Sequence, residues 1–428
     1  MKFKELHHNI KIRLSVMFIF GIAQATTTPF MAIYFATHFG AQMTGVLLTM
    51  SIFASVISGF IGGHVADQMG RRKILIIVES VFLLAYLAMA IANSPWFHSA
   101  TSTFISFLLI NACWGVYGPV DEAMILDVTD VSNRPYVYSL FYWMFNLTLA
   151  IGASIGALTF NAHRFLLFSG TVFVLLIALF TTIFMIQETF DKITMISEKK
   201  SLWRKVAGLY FVVDMVKNYA SIARDRSFLQ YGIAGLLVMT VESELQTSIG
   251  IRLQKEIQPY NWNVFSGVSL HIGGLQMIGL LQTENTILVV LLASFAGRIA
   301  SSMKDRAVMI IGILLFTIGY TVITISNTPS VLFLAMGVAT AGEVFSIPLR
   351  QSYLGVLAPI DKRSTYLAAN GLTFNGARML ASISVIGSAF MSTWQMGALN
   401  FLLGSTGGLL YLLLIPAIIK RRDHQSLV

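Results

Sequence analysis

The run ILIIVESVFLLAYLAMAIA (residues 74–92) has nineteen residues and one charge, Glu79, and follows directly on Arg71, Arg72 and Lys73. As an α-helix at 1.5 Å per residue it is about 28 Å long, close to the hydrocarbon thickness of a bilayer. A long apolar stretch with a basic flank reads as a membrane-crossing helix. Outward from it the same pattern recurs, and twelve spans are predicted: about 14–37, 43–65, 74–92, 103–126, 137–160, 164–186, 227–250, 284–303, 307–326, 329–349, 364–391 and 394–419. The period is helical, not the ten-residue alternation of an outer-membrane barrel.

Composition agrees. Of 428 residues 56% are hydrophobic and 11% charged, where a soluble protein has about a quarter charged. Lipid must be the solvent, which excludes cytosolic enzymes, secreted domains and nucleic-acid binders despite a net charge of +9. The one cysteine, Cys113, allows no intrachain disulfide.

Lys and Arg gather on the cytoplasmic side of membrane proteins. With the N-terminus inside, the inner segments hold 25 of the 29 basic residues, the outer loops hold Arg164, Arg252 and Lys255, and Arg378 lies within a span. Both termini are therefore expected in the cytoplasm of a multi-pass cell-membrane protein. No A-x-A pattern follows the first span, so it reads as a retained anchor. Residues 264–281 could pass for a thirteenth span, but an odd count would put the basic C-terminus outside, so they read as an outer loop or interfacial segment.

The basic stretch 191–226 divides the chain into an N-terminal half (1–190) and a C-terminal half (227–428), six helices each, and reads as a cytoplasmic linker. The halves repeat weakly. GGHVADQMGRRKILI (62–76) aligns with AGRIASSMKDRAVMI (296–310), and a nearby offset puts Pro119 over Pro348 and Arg134 over Arg363. Parallel repeats with a site between them describe a rocking transporter.

GGHVADQMGRRK after the second span resembles signature motif A of the major facilitator superfamily, with Gln68 where a basic residue is usual. AMILD (123–127), Tyr142–Trp143 with Asn146 and Leu147, ETF (188–190) and Gly342–Glu343 resemble the LmrP-like proton-driven multidrug antiporters. Phe141 stands where such proteins commonly carry an acid. The resemblance implies an all-α integral membrane fold of twelve helices in two pseudo-symmetric halves. It also implies a gate at the motif A loop (Gly63, Asp67, Gly70, Arg71, Arg72), with Asp67 accepting hydrogen bonds from a helix N-terminus of the other half. The small-residue run GASIGA (152–157) is a loose relative of an antiporter motif, and small residues also permit close helix packing.

Charges at lipid depth are rare and face a cavity or a partner. Glu343 lies fourteen residues into the tenth span, about 21 Å from its outer end. It reads as a proton-coupling or cation-binding carboxyl, the alternative being a permanent hydrogen bond to a neighbouring helix. Glu242 and Glu244 point about 200° apart on the seventh span, so one can face a cavity and the other a neighbour. Arg378 lies at similar depth and is expected to be neutralised by this pair. Asp121, Glu122, Asp127 and Asp130 crowd the end of the fourth span against the helix dipole, which calls for compensation by Arg134, Arg71 or Arg72, or by protonation. Glu79 reads as structural, within reach of the interface. Trp114, Tyr117, Tyr142, Trp143 and Phe345 can form an adaptable pocket for lipophilic cations.

The leading expectation is a secondary transporter exporting lipophilic or cationic compounds in exchange for protons by alternating access. It would act as a monomer among membrane lipids, without cofactor or metal. A proton-coupled nutrient symporter or a lipid exporter shares the fold. A membrane enzyme would need a nucleophile–base or metal constellation, and none is visible. No nucleotide-binding phosphate loop occurs, so the proton gradient is the expected energy source.

Overall fold

A computed structural model describes residues 6–129, 134–189, 224–265, 268–301, 303–358 and 363–426. The predicted linker 191–226 lies outside these residues up to position 223, as does Asp130. The described helices are α1 (His8–Ala25), α2 (Met31–Met69), α3 (Arg71–Ile91), α4 (Ala100–Asp127), α5 (Arg134–Phe184), α6 (Arg226–Ser243), α7 (Ser248–Glu256), α8 (Gly274–Ser301), α9 (Asp305–Ile325), α10 (Pro329–Leu357), α11 (Arg363–Ser388) and α12 (Thr393–Ser426).

Local chemistry sets their ends. Gly70 at φ 96° takes a conformation that other residues rarely adopt and turns α2 into α3. Gly40, φ 78°, breaks α2 in the same way, and His163 bends α5. Thus α1 with the first part of α2, the rest of α2, and the two parts of α5 account for four crossings. α6 and α7, joined by a 3₁₀ turn at Glu244–Gln246, account for one more. With α3, α4 and α8–α12 the described residues supply a helical segment for each of the twelve expected crossings, and eight helical stretches among them are long and apolar enough to cross a membrane. Side chains such as Leu84, Phe173, Leu334 and Leu413, each more than 60% exposed, would be an aggregation surface in water and are lipid contacts here.

The boundary before the eighth span differs from expectation. Residues 264–281 are not all loop: β1 (Tyr260–Phe265) and β2 (Val268–Ile272) form an antiparallel hairpin, and α8 already starts at Gly274. Alternation of polar and apolar residues in 261–264 favours strand, while Gly273 and Gly274 hid the helix start. A Cβ at Gly274 would collide with the Leu253 carbonyl, so only glycine fits there.

Contacts group the chain into two units, Met1–Phe190 with Gly250–Thr286, and Asp191–Ile249 with Ile287–Val428. In the first, α1 packs on α5, α2 and α3 pack on α4, and α3 packs on α5. Gly152 and Gly156 of GASIGA meet α1 at Ile22–Ala25 and at Thr26 and Phe30, and Ala157 meets Gly279. In this structure the run is a packing seam. In the second unit α9 packs on α10 and α12, and α6 packs on α11 and α12. The repeat seen in sequence recurs in the fold: α3 and α9 start at aligned residues, as do α5 and α11, and Pro119 and Pro348 both lie inside helices.

Asp225 anchors the start of α6 outside the membrane. It accepts from the Ser227 and Phe228 amides at 3.2 Å, from Tyr366 Oη at 3.1 Å and from Arg421 Nη2 at 2.7 Å. Burial pushes its carboxyl up, but Arg421, the Phe228 amide and Tyr366 outweigh it and hold the group below the usual carboxylate range. A depressed folded pKa stabilises above the unfolded value and is lost as pH falls through the folded one. Asp225→Ala should therefore cost about 1–2 kcal/mol at neutral pH. In thermal unfolding the gap to wild type should shrink below about pH 4.

Candidate functional site

Each unit holds a buried arginine close to acidic side chains. In the first, Arg13 of α1 is 4% exposed. It pairs with Asp121 of α4, lies 3.7 Å from Glu79 of α3 and sits 5.3 Å above the Tyr117 ring. Glu79 is 1% exposed and accepts from Thr182 Oγ1 at 3.0 Å, while its Oε2 is buried with no hydrogen bond. Glu79 and Arg13 both depart from the sequence reading, in which Arg13 directly precedes the first predicted span (14–37) as part of its basic flank. Glu79 does not reach the interface, because α3 buries that face against α1 and α5. Arg13 is a buried cation within α1 and not a flanking charge, since the helix starts at His8. Trp114 and Tyr117 pack with Phe20 and Phe82 in the same core.

At the end of α4 the dipole problem is solved by ion pairing. Arg71 pairs with Asp127 and donates to the Ala123 carbonyl at 2.6 Å. Arg72 donates to the Thr182 and Ile183 carbonyls at the end of α5, while Glu188 accepts from the Arg71 and Arg72 amides at 3.2 Å at the start of α3. Charge thus complements both helix ends. Glu122 is exposed. The side chains of Asp67 and Tyr142 lie outside the described residues, and Gly63 is described only as helix backbone.

In the second unit Arg350, two residues after Pro348 as Asp121 is two after Pro119, is buried inside α10. The sequence had placed it in an inner loop; α10 runs on to Leu357. Glu242 interacts electrostatically with Glu343 and Arg350, and Tyr320 lies beside both acids. Glu343 is 8% exposed, whereas Glu242 is an exposed residue.

Glu244 points elsewhere, as its 200° separation requires. It is fully buried and accepts from Ser248 Oγ and Asn400 Nδ2, both at 2.9 Å. The expected pairing of Arg378 with these acids is therefore not made. Arg378 lies 5.9 Å from the Phe374 ring centre and has no acidic partner among the described residues. Equal depth did not fix direction around the helix. Of the five candidate pocket aromatics, Trp114 and Tyr117 pack edge to face with ring centres 5.4 Å apart, Trp143 is 52% exposed and Phe345 belongs to the second unit. Glu284, half-buried in α8, escaped sequence reading because it was placed at a span edge. Among the described residues no group of three His, Cys, Asp or Glu is arranged to hold a metal.

The Major Facilitator Superfamily model matches residues 14–275 and 227–427. The chain is 32% identical over 389 residues to the Na(+), Li(+), K(+)/H(+) antiporter of Planococcus maritimus, covering 90% of each. It is 22% identical to multidrug resistance protein MdtH of Edwardsiella ictaluri, over 82% of this chain and 79% of that one. Among solved structures, a POT family transporter in complex with 5-aminolevulinic acid superposes with a TM-score of 0.72, covering 98% and 99% of the two chains at 15% identity. That likeness speaks to the fold.

Proposed function

The chain belongs to the major facilitator superfamily and is a secondary transporter rather than an enzyme, and on that premise we propose that it exchanges monovalent cations for protons. The observation that carries the reading is the cluster in the second unit, where Glu242 lies within electrostatic range of both the buried Glu343 and the buried Arg350. With both acids ionised, the group carries one negative charge in excess. In a low-dielectric interior that charge calls for a cation. A proton on Glu343 or a bound cargo cation meets the demand equally, so one leaves as the other arrives. The Planococcus relative's name supports a small inorganic cargo. The proton gradient alone drives the exchange, in a cytoplasmic membrane with both termini inside, as the distribution of Lys and Arg favours. A second reading, export of lipophilic cations, draws on the MdtH relatives.

Proteoliposomes loaded with a pH-sensitive dye test this. Adding external Na⁺, Li⁺ or K⁺, and not choline, should make the interior more alkaline. Proton movement evoked only by a lipophilic cation would favour the second reading. No response to either would refute proton exchange.

A further inference from the structure

We propose that Glu244, Ser248, Thr324, Ser384 and Asn400 form a dehydrated binding site for a small monovalent cation, sodium or lithium, in the second unit. The proposal rests on the cation–proton exchange reading and gives the cargo a place distinct from the Glu242–Glu343 pair.

Four helical elements meet there. Span seven breaks at Glu244–Gln246, with Thr247 at φ −124°, ψ −104° before α7 begins. A break at lipid depth is tolerated where the freed backbone serves a site, and half-helix ends hold ions in transporters. Glu244 is the cap residue at the end of α6, where the helix carries partial negative charge that favours a cation. Thr324 comes from α9, Ser384 from α11 and Asn400 from α12. Asn400 Nδ2 donates at 2.9 Å to both Glu244 Oε2 and Thr324 Oγ1, and Ser248 Oγ donates to the same carboxylate oxygen. Ser384 lies beside Glu244.

Two oxygens remain unused. Glu244 Oε1 and Asn400 Oδ1 are buried with no hydrogen-bond partner, in side chains with no exposed surface. A purely structural anchor would leave both acceptors unpaired, a costly arrangement in a dry interior. No Lys or Arg pairs with Glu244 among the described residues. A cation would satisfy both oxygens. The donors are all oxygen, which suits hard cations. The carboxylate is single, so a monovalent ion is neutralised and a divalent ion leaves a buried excess. Complete burial requires the ion to shed its water and rejects bulky organic cations.

The test is equilibrium binding of radioactive Na⁺ to the purified full chain at constant ionic strength. Wild type should bind it, and so should Glu256→Gln, an acid paired outside the site. Glu244→Gln and Asn400→Ala should each weaken binding at least tenfold, and Ser248→Ala several-fold. Ser248→Ala keeps the test decisive if the first two do not fold. Binding within twofold of wild type in folded Glu244→Gln and Asn400→Ala, or in Ser248→Ala if only that variant folds, overturns the site. Exchange in proteoliposomes would then still stand. Absence of Na⁺-dependent proton movement would instead sink the exchange reading itself.

Discussion

Arg13→Met should lower stability by about 3–5 kcal/mol, the largest effect expected of any single polar substitution in the first unit. The guanidinium is 4% exposed and is the cation that both Asp121 and Glu79 face. Its removal leaves both carboxylates without their cation, Glu79 fully buried with a hydrogen bond from Thr182 and Asp121 partly buried. Loss of one partner of a buried ion pair is far costlier than replacing the whole group with neutral side chains. The triple variant Arg13→Met, Glu79→Gln, Asp121→Asn should therefore recover most of the loss. Thermal unfolding of detergent-purified protein reads both. A triple variant no more stable than Arg13→Met would show that packing, not charge, holds the cluster.

Gly115→Leu should abolish accumulation of folded, monodisperse protein. A Cβ at Gly115 would lie against the Ser55 carbonyl and Ser58 Oγ, and one at Gly59 would lie 2.9 Å from the Gly115 carbonyl. Helices α2 and α4 thus meet backbone to backbone, with Ser58 Oγ donating to the Ala112 carbonyl at 2.6 Å across the seam. Small residues allow such approach between membrane helices. Backbone cannot move aside as a flexible side chain can, so the overpacking cost exceeds the usual 1–3 kcal/mol, roughly, of an inserted methylene. Size-exclusion profiles of Gly115→Leu beside Gly118→Leu separate the causes, since a Cβ at Gly118 meets nothing within 4 Å. Equal collapse of both would point to helix propensity or lipid contact instead.

The architecture was legible because apolar length and basic flanks act locally: 74–92 reads as a crossing without knowledge of any neighbour. The repeat was legible at Pro119 and Pro348, which both lie inside helices. The charge clusters were not. Arg13 and Arg350 sit near predicted span ends, where basic residues look like topology signals, and only helix extent shows them buried. Glu244 and Arg378 share a depth, but rotation about each helix axis sends one to Asn400 and the other over Phe374. The α8 start was masked by glycines, which sequence reading takes as loop and the fold uses for close approach to Leu253.

The central claim is that Glu343 couples proton movement to cation movement. Proteoliposomes bearing Glu343→Gln should lose Na⁺ uptake driven by a proton gradient, while exchange of radioactive Na⁺ for unlabelled Na⁺ at equal pH persists. Gradient-driven uptake at the wild-type rate in this variant would contradict the account and move the coupling proton to another carboxylate.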